Sequence, residues 1–332
     1  PAKALQAAES LYQAGYISYP RTESTKYADN FNFMELLQPH VNHPNWGKRV
    51  SWLMRNQMVP PTEGKDAGDH PPIVPTRVAN RTELSREEWR LYDYITRHFI
   101  ASLMPNTKYT ETKYVIAIGN ERFHYTCKTV EDRGFMHAMP WKTKDMLFDE
   151  KAKQPKSGLQ RKDQVLIQRC VLETQYTSPK EHLLEGDLVE ALEKHGIGTD
   201  GAMAHHIQSL VDNKYCTVDT SGSNRHMVPT DLGRCFVKGF SMIDDTLVKP
   251  DLRAYTERTI SLTLVGQGIK QEVVDSILQQ YHSKFRDFRR RAHSLQTLFQ
   301  EAEPVQEIPE APSFPGTVPP VELLPFQVQQ HQ

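Results

Sequence analysis

A tyrosine and an arginine two residues apart belong to one short, stiff segment, Ser18-Tyr19-Pro20-Arg21-Thr22. A tyrosine hydroxyl is a poor nucleophile while it is protonated, and its ordinary pKa is about 10. Beside a fixed cation it can attack a phosphodiester and hold the broken strand as a phosphotyrosine. Residues i and i+2 of an extended segment point to one face, and Pro20 favours extended backbone at Tyr19. The pattern predicts that Tyr19 and Arg21 act at one phosphate.

A second stretch suited to phosphate binding runs from Glu193 to Asp200 and contains the turn Gly196-Ile197-Gly198. Glycines let a backbone approach a ligand closely, and a helix starting near residue 200 would direct free N–H groups at a phosphate. Further polar groups adjoin the turn: positive charge at Lys194 and His195, and a hydroxyl at Thr199 suited to cap the helix and bind phosphate. The alternative is a plain helix–helix turn in which glycine serves the geometry.

A third candidate is His70, which is followed by Pro71 and Pro72. A histidine near a scissile phosphate can donate a hydrogen bond or a proton; the alternative is a loop histidine without a chemical role. Together with Asp66 and Asp69 it would be a candidate metal site, but the two prolines limit how this loop can wrap around an ion. We predict no metal site in the chain.

Other charged or metal-ligating groups carry weaker signals. His205 and His206 are adjacent on a predicted helix, so they point about a hundred degrees apart and do not converge on an ion. We expect one to be exposed and the other partly packed. The arginines near 286–291 are typical of a solvated helix face, with nucleic-acid contact as the alternative. The sequence has no Walker A motif and therefore no visible ATP site.

The charge balance excludes a globally basic nucleic-acid-binding protein, since Lys+Arg (40) and Asp+Glu (41) nearly cancel. Residues 1–300 carry a net charge of +4, so any nucleic-acid contact must come from local clusters. The four cysteines are far apart, which argues against a zinc ribbon and indicates reduced thiols of an intracellular protein. No apolar run is long enough to span a bilayer.

The elements that must position these residues can be predicted from periodicity and caps. Gly15 is placed to end a first helix just before Tyr19, and Ser85 with Glu88 forms a capping box for another. Helices are predicted over 2–13, 45–57, 84–104, 187–195, 200–213, 251–265 and 272–297. Strands are predicted over 114–118, 123–127, 164–172, 215–218 and 225–228, the first two forming a hairpin around Gly119-Asn120.

Helix, glycine turn, helix and hairpin between residues 187 and 228 follow the layout of a winged helix-turn-helix. We predict a multidomain α+β protein with mainly helical lobes, a β-rich hinge and this winged-helix-like region. The predicted domains are a helical domain with the tyrosine (1–107), a β-rich hinge or gate region (108–180), a helical strand-binding domain (181–300) and a Pro-rich disordered tail (301–332). The chain begins at Pro1 inside a helical pattern, which indicates a piece of a longer protein.

Four stretches, in one order along the chain, resemble type IA DNA topoisomerases of the eukaryotic topoisomerase III kind. They are residues 15–23, 69–76, 90–101 and 193–200. The resemblance covers about residues 1–297 and implies part of a toroidal enzyme. Such an enzyme cuts one strand, passes another through the gap and reseals the first without ATP.

The resemblance also implies roles for the candidate residues. Tyr19 would be the nucleophile that forms a 5′-phosphotyrosine, Arg21 would stabilise the transition-state charge, and His70 would assist at the same phosphate. A single-strand groove would lead to them, lined by Lys194, His195, Gly196, Gly198, Thr199 and Asp200. The β-rich stretch would belong to the hinge that lets the tyrosine lobe swing away.

The sequence departs from the family in several places. It shows no Toprim domain, whose acidic residues bind Mg²⁺ in family members, and no C-terminal zinc-binding segment. Mg²⁺ would therefore be bound outside this chain, and the chain would be incomplete as an enzyme. Residues 201–204 read Gly-Ala-Met-Ala instead of starting with Ala-Ser or Ala-Thr. The segment at 66–70 leans toward the beta paralogue and that at 249–253 toward alpha, so the paralogue stays open.

The resemblance implies single-stranded DNA as the partner, with RNA left open. It also implies a RecQ-type helicase and an OB-fold or Tudor-domain accessory protein, no membrane, and a location in the nucleus or also the cytoplasm. The alternative function is a non-catalytic, single-stranded nucleic-acid-binding module. A tyrosine recombinase would need an Arg…His-x-x-Arg set before its nucleophile, and the eighteen residues before Tyr19 contain neither Arg nor His.

Overall fold

The computed structural model describes residues 1–56, 58–145, 163–164, 166, 171, 174–198, 200–222, 224–264, 266–293 and 295. The helices are α1 (Ala2–Gln13), α2 (Phe33–Leu37), α3 (Gly47–Arg55), α4 (Arg86–Ser102), α5 (Lys142–Asp145), α6 (Glu185–Lys194), α7 (Asp200–Asp212), α8 (Asp231–Ile243), α9 (Pro250–Leu264) and α10 (Lys270–Arg291). The strands are β1 (Lys108–Ile118), β2 (Glu121–Asp132), β3 (Cys216–Asp219) and β4 (His226–Pro229). The described residues are mainly helical and contain two small sheets, so the predicted mixed α+β class is confirmed.

Residues 1–104, here called the tyrosine lobe, contain most of the apolar core. Leu11 of α1, Val50 of α3 and Phe99 of α4 are almost fully buried there. Tyr92 lies at the centre: its hydroxyl donates to the Arg77 carbonyl at 2.6 Å and accepts from the Ala79 amide at 3.2 Å. A buried phenol is stabilised by such partners. They also fix the loop before α4 against the core.

The predicted helix ends of this lobe are confirmed. Ser85 and Glu88 form the capping box of α4. At the end of α1, Gly15 has φ +75°, and the Gly15 and Tyr16 amides donate to the carbonyls of Tyr12 and Leu11. This is a Schellman motif, in which a glycine in the left-handed region reverses the chain after the helix. The motif directs the chain out of α1 towards Tyr19.

The predicted hairpin around Gly119-Asn120 is confirmed, but its strands are longer than the apolar pattern indicated. β1 and β2 pair antiparallel from Ile118↔Glu121 to Lys108↔Asp132. Residues 108–113 are polar and mostly exposed, so they carry little of the hydrophobic alternation on which the prediction rested. The predicted strand over 164–172 falls almost entirely outside the described residues.

Residues 182–243, here called the winged lobe, show the predicted order of helix, glycine turn, helix and hairpin. β3 and β4 pair antiparallel, and Leu184, directly before α6, forms an isolated bridge with His226 of β4. The Arg225 guanidinium is also paired with Glu185 at 2.5 Å. The hairpin is thereby joined to the start of α6.

The predicted closing helices are confirmed as α9 and α10, whereas α8 and the short helices α2 and α5 were not predicted. Thr230 caps α8 through its hydroxyl, which accepts from the Gly233 amide at 3.1 Å. A glycine is needed at position 233 for a steric reason, because a Cβ there would lie 2.2 Å from the Tyr215 carbonyl oxygen. The predicted domain boundaries stay predictions, and residues 301–332 lie outside the described residues.

Candidate active site

Tyr19 and His70 are ring neighbours. Their ring centroids are 4.4 Å apart, with the planes inclined by 51°. On the other side of Tyr19, the ring of Tyr12 from α1 meets it edge to face at 5.3 Å. Edge-to-face and offset aromatic contacts at these distances are favourable. The phenol is thus held between a helix residue and a loop histidine.

Two segments, residues 15–26 and 64–76, run antiparallel and hold these rings together. Backbone hydrogen bonds join Ser18 to Val74 at 2.9 Å and Thr25 to Lys65 at 2.8 Å, and Ile17 forms an isolated β-bridge with Pro75. Between these points the ladder is continued by side chains, since prolines cannot donate. Ser18 Oγ accepts from the Val74 amide at 2.9 Å, which explains a serine directly before Tyr19.

The carboxylate of Asp69 joins the two segments through several hydrogen bonds. Its carboxylate accepts from Ser24 Oγ at 2.6 Å and from the Glu23 amide at 2.9 Å. Thr22 Oγ1 donates to the backbone carbonyl of the next residue, His70, at 2.6 Å. The Ser24 hydroxyl, followed by the Glu23 amide, lowers the pKa of Asp69 to about 2. Asp69 is therefore ionised at neutral pH and fixes the backbone next to His70.

Arg21 extends the site towards α7. Its Nε donates to Glu9 Oε1 of α1 at 2.7 Å, and its Nη2 is paired with the same oxygen. The Nη1 end lies against the first turn of α7, because a Cβ built on Gly201 would come within 2.7 Å of it. The departure from the family pattern at position 201 thus lies in direct contact with Arg21.

A cavity of about 770 Å³ opens between α1, the Tyr19 segment, the His70 loop and α7. Tyr19, Arg21 and His70 all line it, so the structure brings the three predicted catalytic residues together. Asp69 and Glu9 line the same cavity, and α7 contributes residues Gly201, Ala202, Ala204 and His205. A tyrosine, an arginine and a histidine around one open cavity are suited to attack on a phosphate and to stabilisation of its charge.

Comparison with known proteins decides the family. A model of the DNA topoisomerase family matches residues 1–275. The chain belongs to the DNA topoisomerase family. It is 39% identical over 300 residues to DNA topoisomerase 3-beta of Arabidopsis thaliana, and the alignment covers 90% of this chain and 34% of that protein. It is 38% identical over 288 residues to human DNA topoisomerase 3-beta-1, and this alignment covers 87% of this chain and 32% of that protein.

The chain is therefore a type IA, topoisomerase III-like sequence that spans about one third of the length of these curated relatives. The identity to DNA topoisomerase 3-alpha of Arabidopsis thaliana is 31% over 290 residues. The fold is similar to full-length topoisomerase I of Thermotoga maritima, with a TM-score of 0.59 at 21% identity. That likeness covers 85% of this chain and 45% of the other.

In this topoisomerase chain, the predicted strand-binding turn lies between α6 and α7. Gly196 and Gly198 have φ of +64° and +82°, and the Gly196 and Ile197 amides close a Schellman motif on α6. Lys194 is the last residue of α6 and His195 its cap, while Asp200 begins α7. Thr199 lies outside the described residues. The cavity wall is formed by the next residues of α7, so the turn adjoins the cavity.

The remaining predictions on ligands can be compared with the described part of the chain. There, no three His, Cys, Asp or Glu side chains are grouped so that they could hold a metal ion. His205 is exposed and His206 partly buried, as predicted, and their rings are 6.5 Å apart. Among the described helices, none combines the length and apolarity needed to cross a membrane.

Sequence reasoning missed three residues of the site. Glu9 and Tyr12 were assigned only to helix α1, although their spacing places both on the side that meets the Tyr19 segment. Asp69 was weighed only as a metal ligand, whereas it accepts hydrogen bonds from the other segment. The run of hydroxyl residues Thr22, Ser24 and Thr25 was the available signal for such a partner.

Proposed function

We propose that this chain carries the tyrosine side of a type IA topoisomerase active site. Tyr19 attacks a phosphodiester of single-stranded DNA, forms a 5′-phosphotyrosine, and the strand is resealed after another strand has passed. The observation that supports this most is the convergence of Tyr19, Arg21 and His70 on one cavity in a chain of this family.

The transesterification needs no external energy source. The Tyr19 oxygen forms a bond to phosphorus while the bond from phosphorus to the 3′ oxygen breaks. The phenol loses its proton and the departing 3′ oxygen gains one, so the reaction exchanges one ester for another. Resealing reverses both steps, and the phosphotyrosine conserves the bond energy that ATP would otherwise supply.

The surrounding residues support distinct parts of this step. Arg21 presents a planar fork of donors to the negative charge that develops on the phosphate oxygens. His70, whose ring centroid is 4.4 Å from that of Tyr19, is placed to donate a hydrogen bond or a proton to the leaving oxygen of the phosphate that Tyr19 attacks. The α6–α7 turn, including Lys194, is proposed to guide the strand towards them.

The finer parts of the proposal concern groups outside the described residues. Mg²⁺ is proposed to bind to a Toprim domain, and no residue of this chain is assigned to it. The proposed protein partners are a RecQ-type helicase and an OB-fold or Tudor-domain protein. RNA is proposed as a second substrate. The proposed location is the nucleus or also the cytoplasm. The names of the relatives support DNA as the substrate, and the other assignments rest on the family resemblance alone.

Trapping on a suicide substrate tests the function. The chain is mixed with a labelled single strand, with and without a purified Toprim domain and Mg²⁺, and covalent adducts are separated on a denaturing gel. We expect an adduct with the Toprim domain that disappears in Tyr19→Phe, while strand binding is retained. Tyr12→Phe is the matched control because its ring contacts Tyr19 from α1. Strand binding without any adduct would favour the alternative, a non-catalytic binding module.

A further inference from the structure

Glu9 faces the guanidinium that the reaction needs. Its Oε1 accepts from Arg21 Nε at 2.7 Å and is also paired with Nη2. These two donors form a side of the guanidinium that can bind two oxygens of a phosphate. Glu9 is fixed on α1, the helix whose end directs the chain to Tyr19. A carboxylate thus occupies the position suited to a strand phosphate.

The pair is accessible to a competing anion. The exposed fractions of the two side chains are 43% for Arg21 and 36% for Glu9. Exposed ion pairs of this kind are weak, so a phosphate that brings further contacts can displace the carboxylate. The opposite end of the guanidinium lies against Gly201, so Arg21 can change partners while α7 limits its movement.

We propose that Glu9 is an intramolecular counterion of Arg21, which a phosphodiester of the single strand displaces on binding. The inference rests on the proposed function, because it requires that the cavity takes a strand. It assigns Glu9 as a positioning residue: it keeps Arg21 turned into the cavity when no strand is bound and is released when the phosphate arrives.

A counterion within the protein changes the salt dependence of binding. A cationic side chain that neutralises a strand phosphate releases the salt cations condensed on it, which makes binding sensitive to salt. With Glu9 as the partner of Arg21, the displaced carboxylate becomes unpaired beside the strand and attracts salt cations again, which offsets this release. Glu9→Gln removes the internal counterion, so binding should become tighter at low salt and more sensitive to salt.

The test measures binding of a fluorescent single-stranded DNA decamer to the full 332-residue chain across a series of salt concentrations. For Glu9→Gln we expect roughly two- to fivefold tighter binding at low salt, the range for an exposed ion pair. The slope of log affinity against log salt should steepen by about 0.7, the value for one phosphate contact on a single strand. Glu63→Gln, an exposed position with the same change in net charge, should change neither value by as much.

The effect must pass through Arg21. In an Arg21→Ala background, Glu9→Gln should no longer change the affinity or the slope. A gain that persists there, or equal gains for Glu9→Gln and Glu63→Gln, would overturn the counterion role and leave the proposed function intact. Weaker binding by Glu9→Gln would also overturn it. Absence of strand binding by every variant, wild type included, would overturn both proposals.

Discussion

The carboxylate of Asp69 accepts a 2.6 Å hydrogen bond from the Ser24 hydroxyl and so joins the loop of His70 to the segment that follows Tyr19. The adjacent amide of Glu23 donates to the second carboxylate oxygen at 2.9 Å. The position of His70 relative to Tyr19 therefore depends on a residue that does not itself react.

Asp69→Asn should slow adduct formation about ten- to hundredfold, because small displacements of a catalytic group have effects of this size. The amide keeps one acceptor oxygen and replaces the other by a donor, which opposes the Glu23 amide or the Ser24 hydroxyl. Since the pKa of Asp69 is held at about 2, the ratio of mutant to wild-type rates should not change between pH 6 and 9. Rates of adduct trapping for the mutant and the wild type, taken at several pH values in this range, measure the ratio.

Asp66→Asn is the matched control, because Asp66 accepts from the Gly68 amide in the same loop. It should form adduct at close to the wild-type rate. Equal losses in Asp66→Asn and Asp69→Asn would show that the loop tolerates no change of charge, and a pH-dependent ratio would contradict a purely positioning role for Asp69.

His70→Ala should lower the rate of adduct formation by about two to four orders of magnitude, the usual contribution of a general acid or base. Strand affinity should stay close to that of the wild type, since His70 acts on the leaving oxygen. Trapping and binding measured on the same preparations separate the two effects. His282→Ala, on the exposed face of α10, is the control. Wild-type trapping by His70→Ala would remove His70 from the proposed mechanism.

Gly201→Ala supplies the residue that the family pattern has here, so strand affinity and adduct yield should stay close to those of the wild type. The added methyl would lie 2.7 Å from Arg21 Nη1, the end of a flexible side chain that can shift. Gly186→Ala in α6 meets no atom within 4 Å. Both glycines are the second residue of their helix, so the preference of a helix for alanine is similar at the two positions and stability alone cannot explain a difference. Thermal melting and strand binding of the two variants provide the comparison, and weaker binding by Gly201→Ala alone would show that Arg21 needs the space that glycine leaves.

The stability of the tyrosine lobe should fall between pH 7 and pH 5 because of His40. The Trp46 indole donates to its Nδ1 at 3.1 Å, and burial, followed by the charge of His43, lowers the pKa of His40 to about 4. The unfolded state, with an ordinary pKa near 6.5, binds the proton first. Stability is therefore lost as pH falls through this window, by up to about 2 kcal/mol.

Urea unfolding at the two pH values, with the tryptophan fluorescence as the signal, measures this loss. His40→Gln keeps an acceptor for the Trp46 indole and has no proton to bind in this range. The variant should therefore show a smaller difference between the two pH values. An unchanged difference would assign the pH dependence to other groups, such as His43 or His98, whose pKa values burial also lowers.

Local sequence signals predicted the parts of the fold that depend on neighbouring residues. The capping box at Ser85 and the glycine at Gly15 placed helix ends correctly, since each motif spans only a few positions. α8 was missed because Gly233 and Gly239 lower helix propensity, and the requirement for Gly233 comes from the distant Tyr215 carbonyl.

In the candidate site, too, short sequence motifs predicted some features, whereas others depend on contacts between distant parts of the chain. Tyr19, Arg21 and His70 were found from short motifs and family resemblance, and they do line one cavity. The pairing of Arg21 with Glu9 and its contact with Gly201 depend on how α1 and α7 pack, which periodicity does not encode. The turn around Gly198 could be predicted from its glycines, but its place beside the cavity required the structure.

The ladder between residues 15–26 and 64–76 binds Tyr19 and His70 into a single mechanical unit. α7, by contrast, belongs to the winged lobe and meets Arg21 through the close approach at Gly201. If the two lobes separated, the Tyr19 phenol and the His70 imidazole would move together, away from α7. A strand end attached to Tyr19 would then travel with its histidine, so this pair would not have to be reassembled before the 3′ end returns for resealing.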